Sequence, residues 1–331
     1  MHKRLLLLAA IVAVAVVSGV AQAPQGQQSQ GALGNRPGAG RAPEFPPPSI
    51  IDYKPKSTLI VAQHPVPRAK FPVIDIHSHQ PTPISAQQLD TVVKSMDPLN
   101  LRILVNATGA TGDRLVQSVA ALRNSPYKDR MVMFSNINFQ NVGPGYGQKA
   151  AAQLEADVKN GALGLGEIMK GFGLRATKAD GSRLHLDDPE LDPVWETAAR
   201  LNIPVLIHTA DPQEFFNPIT FTNERWLELA LYPDRRYPQP QFPSFETING
   251  ERDRLFRRHP KTKFIMAHLG WHANDLGRVA KMFDDMPNVY GEVGAVLYDL
   301  GRQPHTAHDF LVKYQDRVLF GKDSYQPDEF P

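Results

Sequence analysis

Two histidines stand one residue apart directly after the apolar pair Val73-Ile74, in the stretch FPVIDIHSHQP (71–81). Side chains at positions i and i+2 of a β-strand point to the same side, so His77 and His79 would present both imidazoles to one space. Two neutral imidazoles placed in this way can bind one divalent cation. The pair alone is weak evidence, because loop histidines bonded to backbone or solvent have the same spacing.

Three further apolar runs end on residues that commonly bind metals. The runs IPVLIH, FIMAH and VLFGKD end at His208, His268 and Asp323. In a parallel barrel the carboxyl ends of all strands meet on one face, where active sites form. Imidazole and carboxylate groups together suit Zn²⁺ or another borderline divalent metal. The sequence therefore predicts a site for one or two divalent ions, with Zn²⁺ as the expected metal.

The elements that would position these residues alternate along the chain from residue 71 onward. Short apolar runs predict strands at 72–77, 101–106, 131–137, 162–168, 203–208, 263–268, 288–293 and 317–321. Helical periodicity is found near 85–97, 112–123, 147–160, 188–201, 245–259, 272–286 and 304–314. Eight strands alternating with helices predict an α/β protein with a (β/α)₈ TIM barrel. An open doubly wound sheet is the alternative, but no glycine-rich fingerprint follows the first strand.

Two features depart from a simple barrel. The connection over 209–244 is unusually long, and we expect it to form a wall or lid over the barrel mouth. Arg225 lies in it and could pair with a substrate carboxylate, although a solvated helix arginine is the alternative. Trp271 could bind substrate at the mouth or pack on the rim. The sequence stops at Pro331, soon after the eighth strand, so we expect a barrel truncated before its eighth helix.

The N-terminal segment has the pattern of a secretory signal. A basic start is followed by an apolar run over 5–17 and by Ala21-Gln22-Ala23, a small-x-small cleavage pattern. We interpret 1–23 as a cleaved signal peptide of a periplasmic or secreted protein that keeps no stable membrane anchor; an uncleaved anchor is the alternative. Residues 24–50, rich in Pro, Gly and Gln, predict a disordered spacer, and 51–331 the barrel domain.

Composition narrows the functional classes. The formal net charge of +2 argues against a nucleic-acid-binding protein, which would carry a basic patch. The absence of cysteine excludes disulfides and cysteine metal sites. We expect a small-molecule substrate as partner, and a homo-oligomer is compatible with the sequence.

The order of these motifs resembles the metal-dependent amidohydrolase superfamily. H-x-H, a strand-end histidine, AHLG and a C-terminal FG-x-D occur in that order over residues 71–331. The amidohydrolase-2 branch is the most similar; it includes decarboxylases such as aminocarboxymuconate-semialdehyde decarboxylase, and lactone hydrolases. The resemblance implies that His77, His79, His208 and Asp323 hold the metal. It assigns His268 to a second metal or to acid–base catalysis.

Two positions depart from the usual pattern of that superfamily. Members with two metals often bridge them with a carbamylated lysine or a glutamate of the fourth strand, which here reads GLGEIMKGFG. Glu167 and Lys170 have opposite parity, and we expect Glu167 to be the bridging ligand; pairing with a cation is the alternative. The usual final motif G-T-D is replaced by Gly321-Lys322-Asp323.

The resulting hypothesis is a metal-dependent hydrolase that acts on an amide, ester or lactone carbonyl. Asp323 would take a proton from a metal-activated water, and His268 would stabilise the oxyanion or protonate the leaving group. A non-oxidative decarboxylase of a small unsaturated or aromatic acid is the first alternative. An exported metal-binding barrel without turnover is the second, and a nuclease is disfavoured by the lack of a basic patch. Glu292, at the end of the seventh strand, could also reach the pocket.

Overall fold

A computed structural model of the chain describes residue 49 and residues 51–325. The expected signal peptide (1–23), all but one residue of the expected spacer and the last six residues lie outside this range. The chain divides into two units, Met1–Gln63 and His64–Pro331. Residues 51–63 of the first unit are exposed and form neither helix nor strand. Among the described residues, no helix combines the length and apolar character needed to cross a membrane.

Eight parallel strands form one sheet in which each strand pairs with the next along the chain. The strands are β1 (Val73–Ser78), β2 (Leu101–Ala110), β3 (Met131–Ser135), β4 (Leu165–Ile168), β5 (Pro204–Ile207), β6 (Lys263–Met266), β7 (Val289–Glu292) and β8 (Val318–Leu319). Helices lie between them, and the predicted TIM-barrel architecture is confirmed. All eight predicted strands are present, although several are shorter than predicted.

Ten α-helices connect the strands in the described part of the chain. They are α1 (Ala86–Met96), α2 (Gly112–Arg123), α3 (Tyr146–Lys159), α4 (Gly171–Leu174), α5 (Asp192–Arg200), α6 (Trp226–Leu231), α7 (Phe245–Arg258), α8 (Leu276–Asp285), α9 (Leu297–Arg302) and α10 (Pro304–Lys313). The seven predicted helices correspond to α1, α2, α3, α5, α7, α8 and α10. The long connection over 209–244 is not wholly irregular, because it contains α6.

The last strand and the residues after it close the barrel against β1. Ile76 N–H donates to the Phe320 carbonyl at 3.0 Å, Asp323 N–H donates to the His77 carbonyl at 2.8 Å, and His79 N–H donates to the Ser324 carbonyl at 2.7 Å. These backbone bonds run directly alongside the two histidines of H-x-H. The residues that would hold a metal therefore also form the seam between the first and last strands.

Two layers of apolar side chains hold this frame. Inside the barrel, one cluster combines five strand residues with Ala267, which directly follows β6; the strand residues are Val105, Ala107, Phe134, Leu206 and Ile265. Outside it, helix residues pack on the strands; for example, the rings of Trp195 on α5 and Phe264 on β6 lie 6.1 Å apart and both are fully buried. Burial of one such large side chain contributes on the order of 1.5–3 kcal/mol. This packing on both sides of the sheet fixes the positions of the strand ends, where the predicted ligands lie.

Candidate metal centre

Three predicted ligands lie together at the seam. His77 Nε2 and His79 Nε2 are 3.2 Å apart. Asp323 Oδ1 lies 3.4 Å from the first nitrogen and 3.2 Å from the second. His77 is fully buried, the His79 side chain is 6% exposed and the Asp323 side chain is 21% exposed, so the carboxylate is the most accessible of the three. Their ligand atoms are close enough to hold one ion.

Glu167 places its carboxylate on the same group from the opposite side. Its Oε1 lies 3.4 Å from His77 Nε2, and its Oε2 lies 3.2 Å from His79 Nε2. Its Oε1 also lies 2.7 Å from His208 Nδ1. Lys170 follows the end of β4 and turns away, since its Nζ donates to Asp211 Oδ2 at 2.6 Å. Of the two residues weighed from the sequence, Glu167 is the one that faces the histidines.

We use the name cup for the space bordered by His77, His79, Glu167, His208, His268 and Asp323. Both ring nitrogens of His208 have partners in the protein. Nδ1 faces Glu167, and Nε2 accepts the indole N–H of Trp271 at 3.2 Å. The ring also lies 4.6 Å from that of His268. The structure thus places His208 in the cup and Trp271 over it, with the indole held as a donor. Trp271 would have to release Nε2 before that nitrogen could bind a metal.

His268 shows a defined tautomer. Its Nδ1 lies 2.8 Å from the Gly294 carbonyl, and a carbonyl only accepts hydrogen bonds, so Nδ1 carries the proton and Nε2 keeps a lone pair. Burial lowers the pKa of His268, and the neighbouring His208 lowers it further. His268 is therefore a neutral imidazole whose free nitrogen suits a ligand or a base. The expectation that it protonates a leaving group fits this tautomer less well.

A left-handed turn after β6 carries His268 and Trp271 into the cup. His268, Leu269, Gly270 and Trp271 have φ values of 57°, 49°, 63° and 58°. Each non-glycine residue in this region costs roughly 1–2 kcal/mol. Such strain persists only where the surroundings hold it, and it is concentrated at functional sites. The buried Arg252 supports the turn by donating to the Gly270 carbonyl at 3.3 Å.

Two acidic residues support the histidines. Glu292 is fully buried; its Oε1 lies 3.1 Å from His77 Nδ1 and accepts the backbone N–H of His268 at 2.6 Å. The sequence signal for it was its place at the end of β7. Asp211 was missed by sequence reasoning; its Oδ1 lies 3.8 Å from His208 Nε2, and its Oδ2 accepts the hydroxyl of Tyr237 at 2.6 Å. Its position three residues after His208 was the available signal.

The electrostatics of the cup favour positive charge. Burial alone lowers the pKa of His77, but hydrogen bonds with Glu167 and Glu292 outweigh it and hold that pKa well above its ordinary value. Burial likewise raises the pKa of Glu167, yet its bonds with His208, His77 and His79 hold it well below the usual range. The carboxylates therefore stay ionised. Protons on the histidines balance them, and a divalent cation would replace those protons.

The residues present fit a divalent cation. Three buried polar atoms in the cup make no hydrogen bond of acceptable geometry within the described residues: Glu167 Oε2, His268 Nε2 and Asp323 Oδ1. The two carboxylate oxygens each lie 3.2 Å from His79 Nε2, at ion-pair distance. Unpartnered buried atoms are costly, and here all three carry lone pairs that converge on the same space. Imidazole nitrogen with carboxylate oxygen is a donor set used for Zn²⁺ and related ions. We expect His77 and His79 to bind the ion together with Asp323 and Glu167.

A cavity of about 470 Å³ opens beside the cup, and its wall includes His79, Gln80, Pro81, Thr108 and Met169. Tyr325 also lines it and stacks on the His79 ring at 4.5 Å.

Arg225 is not among the residues lining this cavity. Its guanidinium lies 3.0 Å from Glu228 and 4.3 Å from the centre of the Tyr298 ring. It shares a narrow cleft with Trp271. Glu228 already neutralises the Arg225 guanidinium. Binding of a substrate carboxylate by Arg225 remains a prediction.

Comparison with known proteins decides the family. A model of the family described as Amidohydrolase matches residues 67–330. The chain belongs to the Amidohydrolase family. The match spans every residue of the cup, from His77 on β1 to Asp323 after β8. An amidohydrolase-type barrel with a possible metal site is thus common to the sequence patterns, the fold and the family match.

Solved structures with the same architecture include enzymes of several activities. The chain is similar to 2,6-dihydroxybenzoate decarboxylase from Rhizobium, with 17% identity and a TM-score of 0.48 over 80% of this chain and 90% of that one. It is similar to a putative amidohydrolase from Staphylococcus aureus, with 16% identity and a TM-score of 0.46 over 76% and 88% of the two chains. It is also similar to 4-oxalomesaconate hydratase from Rhodopseudomonas palustris, with 16% identity and a TM-score of 0.44 over 76% and 81%. At these identities the likeness concerns the barrel.

Proposed function

We propose that this amidohydrolase is a divalent-metal-dependent hydrolase, with Zn²⁺ as its ion, that attacks an amide, ester or lactone carbonyl of a small molecule. The observation that carries the proposal is the position of Asp323. Its Oδ1 lies within 3.4 Å of His77 Nε2 and 3.2 Å of His79 Nε2, and its side chain still reaches solvent. A general base must lie within hydrogen-bond reach of the attacking water, and a carboxylate beside the ion that is open to solvent meets this requirement.

Four residues at the site then have proposed roles in the reaction. When bound, a divalent cation supplies Lewis acidity, which polarises a carbonyl and acidifies water. Asp323 accepts the proton of the attacking water and passes it to the leaving group. Glu292 holds the ring of His77, and Glu167 adds negative charge that retains the ion. The indole N–H of Trp271 is a hydrogen-bond donor at the edge of the cup and can turn from His208 to a developing oxyanion.

The test combines metal removal with one substitution. Protein treated with a chelator should lose turnover of a panel of amides, esters and lactones, and added Zn²⁺ should restore it. Asp323→Asn should lower kcat by at least about 10²-fold, the low end of what a general base contributes. Asp285→Asn is the matched control, because Asp285 is a surface carboxylate paired with Lys281. Turnover that survives both chelation and Asp323→Asn would show that the proposal is wrong.

A second candidate is decarboxylation of a planar acid, and the wall of the cavity favours it. The rings of Tyr325 and His79 stack at 4.5 Å and 19°, and Pro81 and Met169 add apolar surface. A planar substrate can stack there, and an apolar wall destabilises an ionised carboxylate relative to the state that loses CO₂. CO₂ release from aromatic acids, measured on the same metal-loaded protein, separates this activity from hydrolysis.

We also propose that the enzyme works outside the cytoplasm. The support is the pattern over residues 1–23, a basic start, an apolar run and a small-x-small site. Mass spectrometry of the protein recovered from a bacterial periplasm should give a chain beginning after Ala23. A chain that begins at Met1 in the membrane fraction would contradict the proposal.

A further inference from the structure

Gln80 follows H-x-H directly and has an unusual environment. It is 1% exposed, and neither its side-chain nitrogen nor its side-chain oxygen has a hydrogen-bond partner among the described residues. It lines the same cavity as His79. An amide buried without partners costs roughly 1–3 kcal/mol, and such a group calls for an explanation.

Hydrogen bonds hold the backbone of Gln80, whereas its side-chain amide makes none within the described residues. Its N–H donates to Asn106 Oδ1 at 3.1 Å, and Asn106 Nδ2 donates to its carbonyl at 3.1 Å. The residue therefore keeps its place at the cavity wall. The terminal torsion of a glutamine is broad, so the amide can turn to face the cavity without movement of the main chain.

The hydrogen-bonding groups of a primary amide determine which ligands Gln80 can recognise. It offers one acceptor oxygen and two N–H donors side by side. A second amide is complementary, because it presents a carbonyl acceptor and an N–H donor in the same arrangement. An ester or lactone has no N–H and would leave the Gln80 oxygen unpartnered. Sites built around such polar groups discriminate strongly against analogues that lack the matching donor.

We infer that Gln80 is a specificity-determining residue that hydrogen-bonds an N–H-bearing amide of the substrate. The inference rests on the proposed hydrolase function and narrows its substrate class from amides, esters and lactones to amides. The bound amide supplies the partners that Gln80 lacks, so the cost of its burial is recovered only in the complex.

The first arm of the test measures stability and needs no turnover. Gln80→Met keeps the length of the side chain and removes both unpartnered atoms, so it should raise the unfolding temperature by about 2–4 °C. Gln88→Met is the matched control on α1. The Gln88 Oε1 accepts the backbone N–H of Ser85 at 3.1 Å and completes a capping box, so this variant should lower the unfolding temperature.

The second arm measures binding to the metal-loaded protein by ligand-observed NMR titration. Benzamide and acetophenone have the same shape, and only benzamide carries N–H donors. The wild type should bind benzamide at least 10-fold more tightly than acetophenone, and Gln80→Met should reduce the preference to within 2-fold. Elemental analysis should show equal metal content in both proteins.

Either arm can overturn the inference. A Gln80→Met protein that unfolds at a lower temperature than the wild type would show that the amide is structural. An unchanged preference for benzamide in this variant, or no preference in the wild type, would refute the assignment of substrate class. Loss of turnover on chelation is measured separately, so failure of the proposed hydrolase function would be recognised as such.

Discussion

Glu292 Oε1 lies 3.1 Å from His77 Nδ1 and 2.6 Å from the backbone nitrogen of His268. One buried carboxylate at the end of β7 therefore holds a residue of β1 and the turn after β6. It orients the ring of His77, because Nδ1 donates to the carboxylate and Nε2 then points toward Asp323. This single group thus connects the first strand with the end of the barrel formed by β6 and β7.

Glu292→Gln should weaken metal binding by about 10–100-fold, the usual effect of losing such a supporting carboxylate. The neutral amide keeps its shape but no longer favours the Nδ1–H tautomer of His77. Competition with a chromophoric chelator measures the affinity. Glu246→Gln is the control, since that glutamate is exposed and pairs with Arg278 on the surface. Equal affinities in the two variants would contradict the role assigned to Glu292.

Gly270→Ala should destabilise the metal-free protein by about 1–3 kcal/mol, measured by chemical denaturation in chelator. Gly270 has a φ of 63°, and an added Cβ would lie 2.6 Å from Arg252 Nη1. Gly301→Ala is the control, because a Cβ there meets nothing within 4 Å and the helix gains propensity. If both substitutions had the same effect, the left-handed turn would not depend on this glycine.

His272 should make the protein sensitive to acid. Burial, together with the smaller effect of the nearby Arg252 guanidinium, lowers the pKa of His272 to about 2. Since this pKa is depressed relative to the unfolded chain, the unfolded state binds the proton first as pH falls below about 6.5. Stability is therefore full above that pH and decreases below it, by up to about 1.4 kcal/mol per pH unit.

His272→Gln removes this titration and should flatten the decline of unfolding free energy between about pH 6.5 and 4.5. Glutamine keeps an acceptor for the Arg252 guanidinium, which lies 3.4 Å from His272 Nε2. Urea denaturation of both metal-free proteins across this range is the measurement. His308→Gln, an exposed histidine on α10, is the control. A wild type and a His272 variant with identical pH profiles would refute the assignment.

The parts of this molecule that follow from local pattern were predictable from the sequence. The apolar runs mark all eight strands, and their ends mark His77, His79 and His208, because residue type and strand parity are local properties. The opposite parity of Glu167 on β4 and Lys170, two residues after it, predicted which of the two side chains faces the cup. The family resemblance is confirmed by the match over residues 67–330.

The structural features that could not be predicted from the sequence depend on contacts between distant segments. The left-handed path from His268 to Trp271 cannot be read from AHLGW, because Arg252 and Glu292 hold it from other elements. The unpartnered amide of Gln80 becomes visible only when every neighbouring donor and acceptor has been placed. The hydroxyl of Tyr237 reaches Asp211 from the far end of the long connection.

The seam between β1 and β8 also sets an order of events in time. The backbone N–H of Asp323 donates to the carbonyl of His77, so the two ends of the barrel meet at the residues that would hold the ion. During synthesis, His77 of β1 and His79 directly after that strand emerge from the ribosome long before Asp323 does. The complete ligand set cannot exist until the last strand has docked. Binding of an ion by the complete set would therefore be a late step of folding.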